Sequence, residues 1–339
     1  MPLVQGRVFL SWDFMKAIVR TQYGPPDVLQ FTEIEKPVAK HNEVLIQVFA
    51  ASVNPADRFQ LRGAPWSRIP GLRTPKQLVI GCDIAGRVEA VGKAVKQFQP
   101  GDDVFGVTGL AGGGFAEYAC AREAKLAQKP RNLSFEAAAA VPIAALTALQ
   151  GLRDHGHIQP GQKVLIDGAS GGVGTFVIQI AKSFGAEVTA VCSTRNVDTA
   201  RSLGADHVID YTREDFTQSA QRYDLIVGAN AHHSIFVYRR LLRPQGIYVV
   251  VGGAIPRIFQ AMLLAPILSR FGTKKTRFFI AKINQKDLLV LKDLMEAGKV
   301  LPVIDRRYPL SEAAEAIRYL EKGHAQGKIV LTVEHNNGA

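Results

Sequence analysis

The sequence predicts an α/β protein made of a compact antiparallel β-barrel and a doubly wound parallel sheet. Three observations carry this. Before residue 137, short runs rich in β-branched or alternating apolar residues are separated by glycine and proline, the pattern of antiparallel strands. After it, helices and strands alternate, which builds a parallel sheet with right-handed crossovers. At the head of the second part, the stretch KVLIDGASGGVGTFVIQIAKSFG (163–185) runs an apolar strand into a glycine-rich turn and then an amphipathic helix.

The strands expected in the barrel are 15–19, 43–51, 84–91, 103–107 and 115–120. A helix over 137–152 then leads to strand 163–167. Helices 173–184, 196–203, 214–220, 232–242 and 257–270 lead to strands 187–192, 207–210, 224–228, 246–251 and 276–280. Helix 285–297, the segment 300–304, a helix capped by Ser311 (311–321) and a last strand, 328–333, break this alternation. They are expected to return to the barrel. The division expected is therefore residues 15–137 with 285–337 as one discontinuous domain and 138–284 as the other, with the ligand cleft between them. Residues 1–14 read as an N-terminal extension and a candidate for disorder.

The turn Ala169-Ser170-Gly171-Gly172-Val173-Gly174 is a variant of the dinucleotide fingerprint, with Ala169 in the first glycine position. A Cβ on Gly171 would meet a pyrophosphate, Gly174 lets the helix pack on the strand, and the free N–H groups at the helix start face phosphate. In such folds an acid at the end of the second strand grips the ribose 2′-hydroxyl of NAD. Here that strand ends at Cys192 and continues Ser193-Thr194-Arg195. Two hydroxyls and a guanidinium suit a 2′-phosphate, so NADPH (NADP+) is the expected cofactor. The alternative makes Ser193 a helix cap and Arg195 a solvated charge.

Three scattered cysteines, Cys82, Cys120 and Cys192, provide neither a disulfide framework nor a cysteine-rich metal site and fit a reducing, cytoplasmic setting. The formal net charge of +11 comes without a dense Lys/Arg block, so no nucleic acid is expected. No secretory leader pattern is read at the start, and no apolar run is long enough for a membrane span. The nearest to one, 258–268, contains Pro266.

Three motifs together resemble one family: AGRVEAVG (85–92) with PGDDV (100–104), the turn 168–174, and the closing GKIV (327–330). They resemble the medium-chain dehydrogenase/reductase superfamily, in its zinc-independent quinone oxidoreductase-like branch, over roughly residues 15–334. The resemblance implies a GroES-like barrel, a Rossmann domain and a homodimer. It also implies no zinc, because Asn54 and Cys82 stand at two catalytic ligand positions and the third, near Val141-Pro142, has no cysteine. Cys82 then reads as a packed core residue. By position within matching motifs, Thr147 is implied beside the nicotinamide, Tyr211 at the 2′-phosphate and Asn230 by the cofactor ribose. Gly252-Gly253 would leave room for the nicotinamide ring, and Lys328 would reach the cofactor phosphates.

The expected reaction is hydride transfer from NADPH to a quinone or to the activated C=C bond of an enone. Asn54 is the leading residue for catalysis, expected to position the substrate and donate to the oxygen on which charge develops, with Asp57 orienting it or serving as a turn residue after Pro55. Phe59 stands where some quinone reductases have a tyrosine, so water would supply the proton. His155, His157, His232 and His233 read as solvated loop residues. The segment 61–78, with Trp66, is expected to cover the cleft. Two other functions stay open: a zinc-free alcohol or carbonyl dehydrogenase, and an NADPH-binding regulatory or RNA-binding protein with little turnover.

Overall fold

The computed structural model describes residues 14–63, 75, 78–109, 112–270 and 272–335. The N-terminal extension up to residue 13, Trp66 and most of the expected cleft cover lie outside the described residues.

The first sheet is seven-stranded and mostly antiparallel. Its order is Ile304–Pro309, Lys328–Thr332, Glu43–Val53, Asp83–Val91, Asp103–Val107, Leu126–Gln128, with Tyr118–Arg122 on Glu43–Val53. Glu43–Val53 is its spine. It pairs along one edge with Asp83–Val91 and along the other with Tyr118–Arg122 and then Lys328–Thr332. Val44, Ile46 and Val48 are fully buried, and Leu45, Ala50, Ala51 and Val53 are buried too, so this strand is covered on both faces over most of its length. The last strand of the chain thus lies in the first sheet, beside Glu43–Val53. Phe14–Val19 and Gln30–Glu35 form a separate antiparallel pair.

The second sheet has six parallel strands in the order His207–Asp210, Glu187–Cys192, Lys163–Asp167, Tyr223–Gly228, Leu242–Val250, Lys275–Phe278. Lys163–Asp167 lies between the strand that follows it in sequence and the one two further on. The winding direction reverses there, and the crevice past the carboxyl ends of such strands is where ligands bind.

Several local expectations change. The helix expected over 137–152 is two, Phe135–Ala139 and Pro142–Gln150, followed by one π-helical stretch, Gly151–His155. Proline lacks an N–H and clashes with the preceding turn, so Pro142 restarts the helix as its first residue. The strand expected at 115–120 is Tyr118–Arg122, while Ala116 makes only an isolated bridge to Ala17. Helix Pro55–Arg62 and strands Gln30–Glu35 and Leu126–Gln128 went unpredicted.

Close backbone approach fixes glycine in the barrel at Gly86, where a Cβ would stand 2.0 Å from the Gln47 carbonyl oxygen of the neighbouring strand. Gly86→Ala is expected to destabilise the protein by about 1–3 kcal/mol, the usual cost of overpacking. Urea denaturation measures this, and an unchanged midpoint would count against the pairing of Gly86 with Val48 on the spine strand.

Candidate active site

The glycine turn follows Asp167 at the carboxyl end of the central strand, and helix Gly172–Ser183 begins with Gly171 as its N-cap. Its glycines have different reasons. A Cβ on Gly174 would lie 2.2 Å from the Gly168 carbonyl oxygen, so helix and turn meet without a side chain. A Cβ on Gly171 would find nothing nearer than that same oxygen at 3.6 Å, and its φ is an ordinary −78°. Protein packing therefore leaves space at Gly171, in front of a helix N-terminus, which fits a pyrophosphate. Ala169 is fully buried, and Ser170, Gly172 and Val173 are half-buried around it.

Ser193, Thr194 and Arg195 follow strand Glu187–Cys192 as expected. The Ser193 hydroxyl accepts from Asn196 Nδ2 at 3.1 Å, and exposed Arg195 donates to the His324 carbonyl at 3.1 Å. Tyr211 is exposed nearby, its N–H bonded to the Cys192 carbonyl. The reasoning that no acid stands here missed Asp210. It ends the adjacent strand, and its carboxylate accepts from Thr194 Oγ1 at 2.5 Å and pairs with Arg213 at 3.4 Å. The hydrogen bonds from Thr194 and Thr212 hold that carboxyl below its usual range.

At the other end of the cleft the N–H of Asn230 bonds the Asp167 carbonyl, so this exposed residue lies against the glycine turn. Thr147 is half-buried on helix Pro142–Gln150 and donates to the Ile143 carbonyl at 2.7 Å. Gly252 and Gly253 were expected to be glycine because of the ring. The structure supplies another reason, since a Cβ on either would lie 2.4 Å from a carbonyl oxygen, that of Ala229 or of Ala231. One histidine, His155, is not a solvated loop residue, whereas His233 is exposed in a loop as expected. His155 stacks on Phe279 with centroids 4.0 Å apart, and burial holds it below its usual pKa. His233 meets Phe216 and Tyr238 edge-on.

The centre of the site is a buried polar cluster formed where three elements meet. Asn54 caps helix Pro55–Arg62, with Pro55 at its first position. Asp57 accepts the Asn54 backbone N–H at 2.7 Å, so it orients Asn54 through the main chain and is a helix residue rather than a turn residue. The Asn54 side chain donates to Asp83 Oδ2 at 2.9 Å and to the Ser52 carbonyl at 3.3 Å, and accepts from Lys328 Nζ at 2.6 Å. Asp83 also accepts from Ser52 Oγ at 3.1 Å and from the Ile143 N–H at 3.1 Å, at the start of the helix that carries Thr147. Lys328 Nζ stands 3.6 Å from Asp83 Oδ2, with both side chains buried. The ammonium expected at the cofactor phosphates is thus committed to Asn54 and Asp83. Both amide hydrogens of Asn54 are taken, which removes the donor expected for a developing oxyanion.

Sequence reasoning missed Ser52 and Asp83. The available signal was an acid inside an otherwise apolar strand start, Ile80–Ile84. Burial pushes Asp83 up and Lys328 down, and each opposes the other's shift. The donors converging on Asp83 match the ionised carboxylate, which only accepts. Asp57 is fully buried, and burial pushes its carboxyl up to about 7 against the pull of the Asn54 N–H, with Asp83 adding to the rise. Cys82 is fully buried and takes a hydrogen bond from Gln60 at 3.0 Å, and burial holds its thiol protonated. Among the described residues no three His, Cys, Asp or Glu side chains stand together as a metal would need.

Two outcomes follow from this geometry. Gly171→Ala should keep the stability of the parent yet weaken nicotinamide cofactor binding about tenfold or more, the scale of one charge-assisted hydrogen bond. Quenching of protein fluorescence by cofactor measures it, and undiminished affinity would remove the pyrophosphate from this turn. The second outcome concerns Asp57. Its folded pKa lies above the unfolded value of 3.8, so the native state holds the extra proton between about pH 4 and pH 7 and stability falls as pH rises through that window. Asp57→Asn should lose less stability than the parent between pH 5 and pH 8 in urea titrations. Equal losses would show that Asp57 does not titrate this way.

Comparison with known proteins agrees with this architecture. A family model for the alcohol dehydrogenase GroES-like domain matches residues 40–131, and one for zinc-binding dehydrogenases matches residues 203–331. The chain is 37% identical to a 2-methylene-furan-3-one reductase of Solanum lycopersicum, over 94% of this chain and 79% of that protein. It is 36% identical to a chloroplastic NADPH-dependent alkenal/one oxidoreductase of Arabidopsis thaliana, with the same coverage. The solved structure of a quinone oxidoreductase from Coxiella burnetii superposes with a TM-score of 0.81 at 32% identity, covering 95% of this chain and 100% of that one. The chain therefore takes a nicotinamide cofactor and is an oxidoreductase of the medium-chain dehydrogenase/reductase superfamily, in its quinone oxidoreductase-like branch.

Proposed function

We propose that the protein is an NADPH-dependent reductase of quinones and of activated C=C bonds that works without zinc. One observation carries the zinc-free part. At the first ligand position the ammonium of Lys328 is bonded to Asn54, and at the second the buried Cys82 keeps its proton. A buried ammonium fixed on the residue at the first ligand position opposes Zn²⁺ by its charge, and a carboxamide there is a weak zinc ligand. The acceptor must then carry its own activation, as a quinone or an enone does. The relatives named for alkenal/one reduction and quinone oxidoreduction support that substrate class.

Bound nicotinamide supplies the hydride. The chain's residues do the rest. The turn 169–174 and its helix N-terminus hold the pyrophosphate, and Asn230 meets the cofactor ribose. Arg195, with Ser193 and Tyr211, meets the 2′-phosphate, while Thr194, Thr212 and Arg213 offset the charge of Asp210. Phe59 is 53% exposed and has no proton to give, so the product takes its proton from water.

The two domains expected from the sequence, 15–137 with 285–337 and 138–284, remain part of this proposal, as does a homodimer. The helix Ile255–Arg270 exposes Phe259, Leu263 and Ile267 beside the open edge of strand Lys275–Phe278, a surface suited to a second copy. Among the described residues no helix is long and apolar enough to cross a membrane. Free, scattered cysteines support a reducing compartment such as the cytoplasm.

The decisive test is loss of NADPH absorbance at 340 nm with quinones and enones, in the presence of chelator and with NADH as control. Turnover that survives chelation is expected. Silence across the panel with cofactor binding intact would favour the regulatory alternative. Arg195→Ala should lower the preference for NADPH over NADH by about tenfold or more, since it deletes a charge-assisted hydrogen bond. An unchanged ratio would place the 2′-phosphate elsewhere.

A further inference from the structure

The carboxamide of Asn54 could sit either way round, and two charged neighbours on different elements decide between them. As placed, Oδ1 accepts from Lys328 Nζ at 2.6 Å and Nδ2 donates to Asp83 Oδ2 at 2.9 Å. Turned over, Nδ2 would face an ammonium that has no lone pair, and Oδ1 would face a carboxylate that has no proton. Both contacts would become repulsive in a site where Asn54 is 2% exposed and Asp83 fully buried. Each of the two charges therefore excludes the flipped state independently.

Resting on the reductase reading above, we propose that Lys328 and Asp83 are positioning residues that lock the Asn54 amide, so that Asn54 meets its ligand only as a hydrogen-bond acceptor. Its two N–H groups are spent on Asp83 and the Ser52 carbonyl, and Oδ1 keeps one lone pair after Lys328. The ligand group that fits is a hydroxyl donor, such as a sugar hydroxyl of the cofactor. A substrate carbonyl oxygen has no proton to offer and is repelled from Oδ1. The lock thus separates the place of the hydroxyl from the place of the reacting carbonyl.

Lys328 is built to join the two sides of the cleft. Its neighbour Gly327 bridges to Gly171 in the glycine turn, and its own N–H bonds the Val303 carbonyl at 2.8 Å. Its stem passes so close to the turn that a Cβ on Gly172 would lie 3.0 Å from Lys328 Cδ. The backbone lies in the last strand of the barrel, the stem passes beside the glycine turn, and the ammonium ends at Asn54 and Asp83. Asp83 makes the matching connection, since its other oxygen holds the Ile143 N–H of helix Pro142–Gln150. A shift of either element changes where the Asn54 lone pair points.

The test removes both charges together, so that neither is left orphaned. The double variant Lys328→Met/Asp83→Asn should fold with a melting temperature near that of the parent. Its kcat should fall about 10–100-fold, the scale of a misplaced group in a reaction site. The KM for the quinone or enone should change little, and affinity for NADPH should weaken. Unchanged kcat and NADPH affinity in the folded variant would overturn the proposal. A second readout needs no turnover and does not depend on the double variant. With asparagine labelled by ¹⁵N, the Asn54 side-chain N–H pair should be well dispersed and slow to exchange with solvent in the parent, its signals assigned by their loss in Asn54→Ser. Fast exchange of that pair would show that the amide is not locked. If the substrate panel is silent but the pair is protected, the reductase reading fails and the lock stands.

Discussion

The site hangs on one buried carboxylate. Asp83 opens a barrel strand, fixes the start of the helix that carries Thr147, takes the amide of Asn54 and faces the ammonium of Lys328. An isolated charge with no access to water would be very costly. Hydrogen bonds from Ser52, Asn54 and Ile143 and the opposite charge at 3.6 Å make it tolerable. Taking away one member of such a pair typically costs about 3–5 kcal/mol, because the other charge is left behind. The cluster contributes less to net stability than to uniqueness of arrangement. Apolar residues could fill the volume but would not specify which way Asn54 points.

The glycine turn divides its labour in a way that packing alone makes visible. Gly174 is required by the protein, since the backbone of Gly168 and Ala169 occupies the space a side chain would need. Gly171 is not required by protein packing, which leaves the space beside it open. The turn lies where the sheet order reverses, and the loop holding Asn230 is bonded to the strand end that leads into it. The bridge from Gly327 to Gly171 ties the last strand of the chain to that turn. This explains why the closing Gly-Lys motif, remote in sequence, belongs to the site.

Much of this was legible beforehand for physical reasons. The strand–turn–helix at 163–185 is local, its glycines are set by steric rules, and the alternation after residue 137 needs only period counting. Helix Pro55–Arg62 was missed although its start was written out: a capping asparagine, proline at the first position and an acid at the third. Asp83, Ser52 and the true place of Lys328 were not legible, because burial of a charge depends on partners 29 and 274 residues from Asn54. Asp210 was overlooked for a similar reason. It sits on the neighbouring strand, and only parallel pairing with Cys192 brings it beside Thr194.

The same cluster bears on which chemistry the cleft can support. Oxidising an alcohol requires a base for its hydroxyl proton and a positive centre to hold the alkoxide. Asn54 has no N–H left to stabilise an alkoxide, Phe59 cannot relay a proton, and Lys328 is fixed between Asn54 and Asp83. A quinone or an enone asks for less. Its negative charge is delocalised as it forms, and water can protonate the product after the transfer. What such an acceptor does need is an accurately placed cofactor, and placement is what the Asp83–Asn54–Lys328 lock and the turn beside it supply.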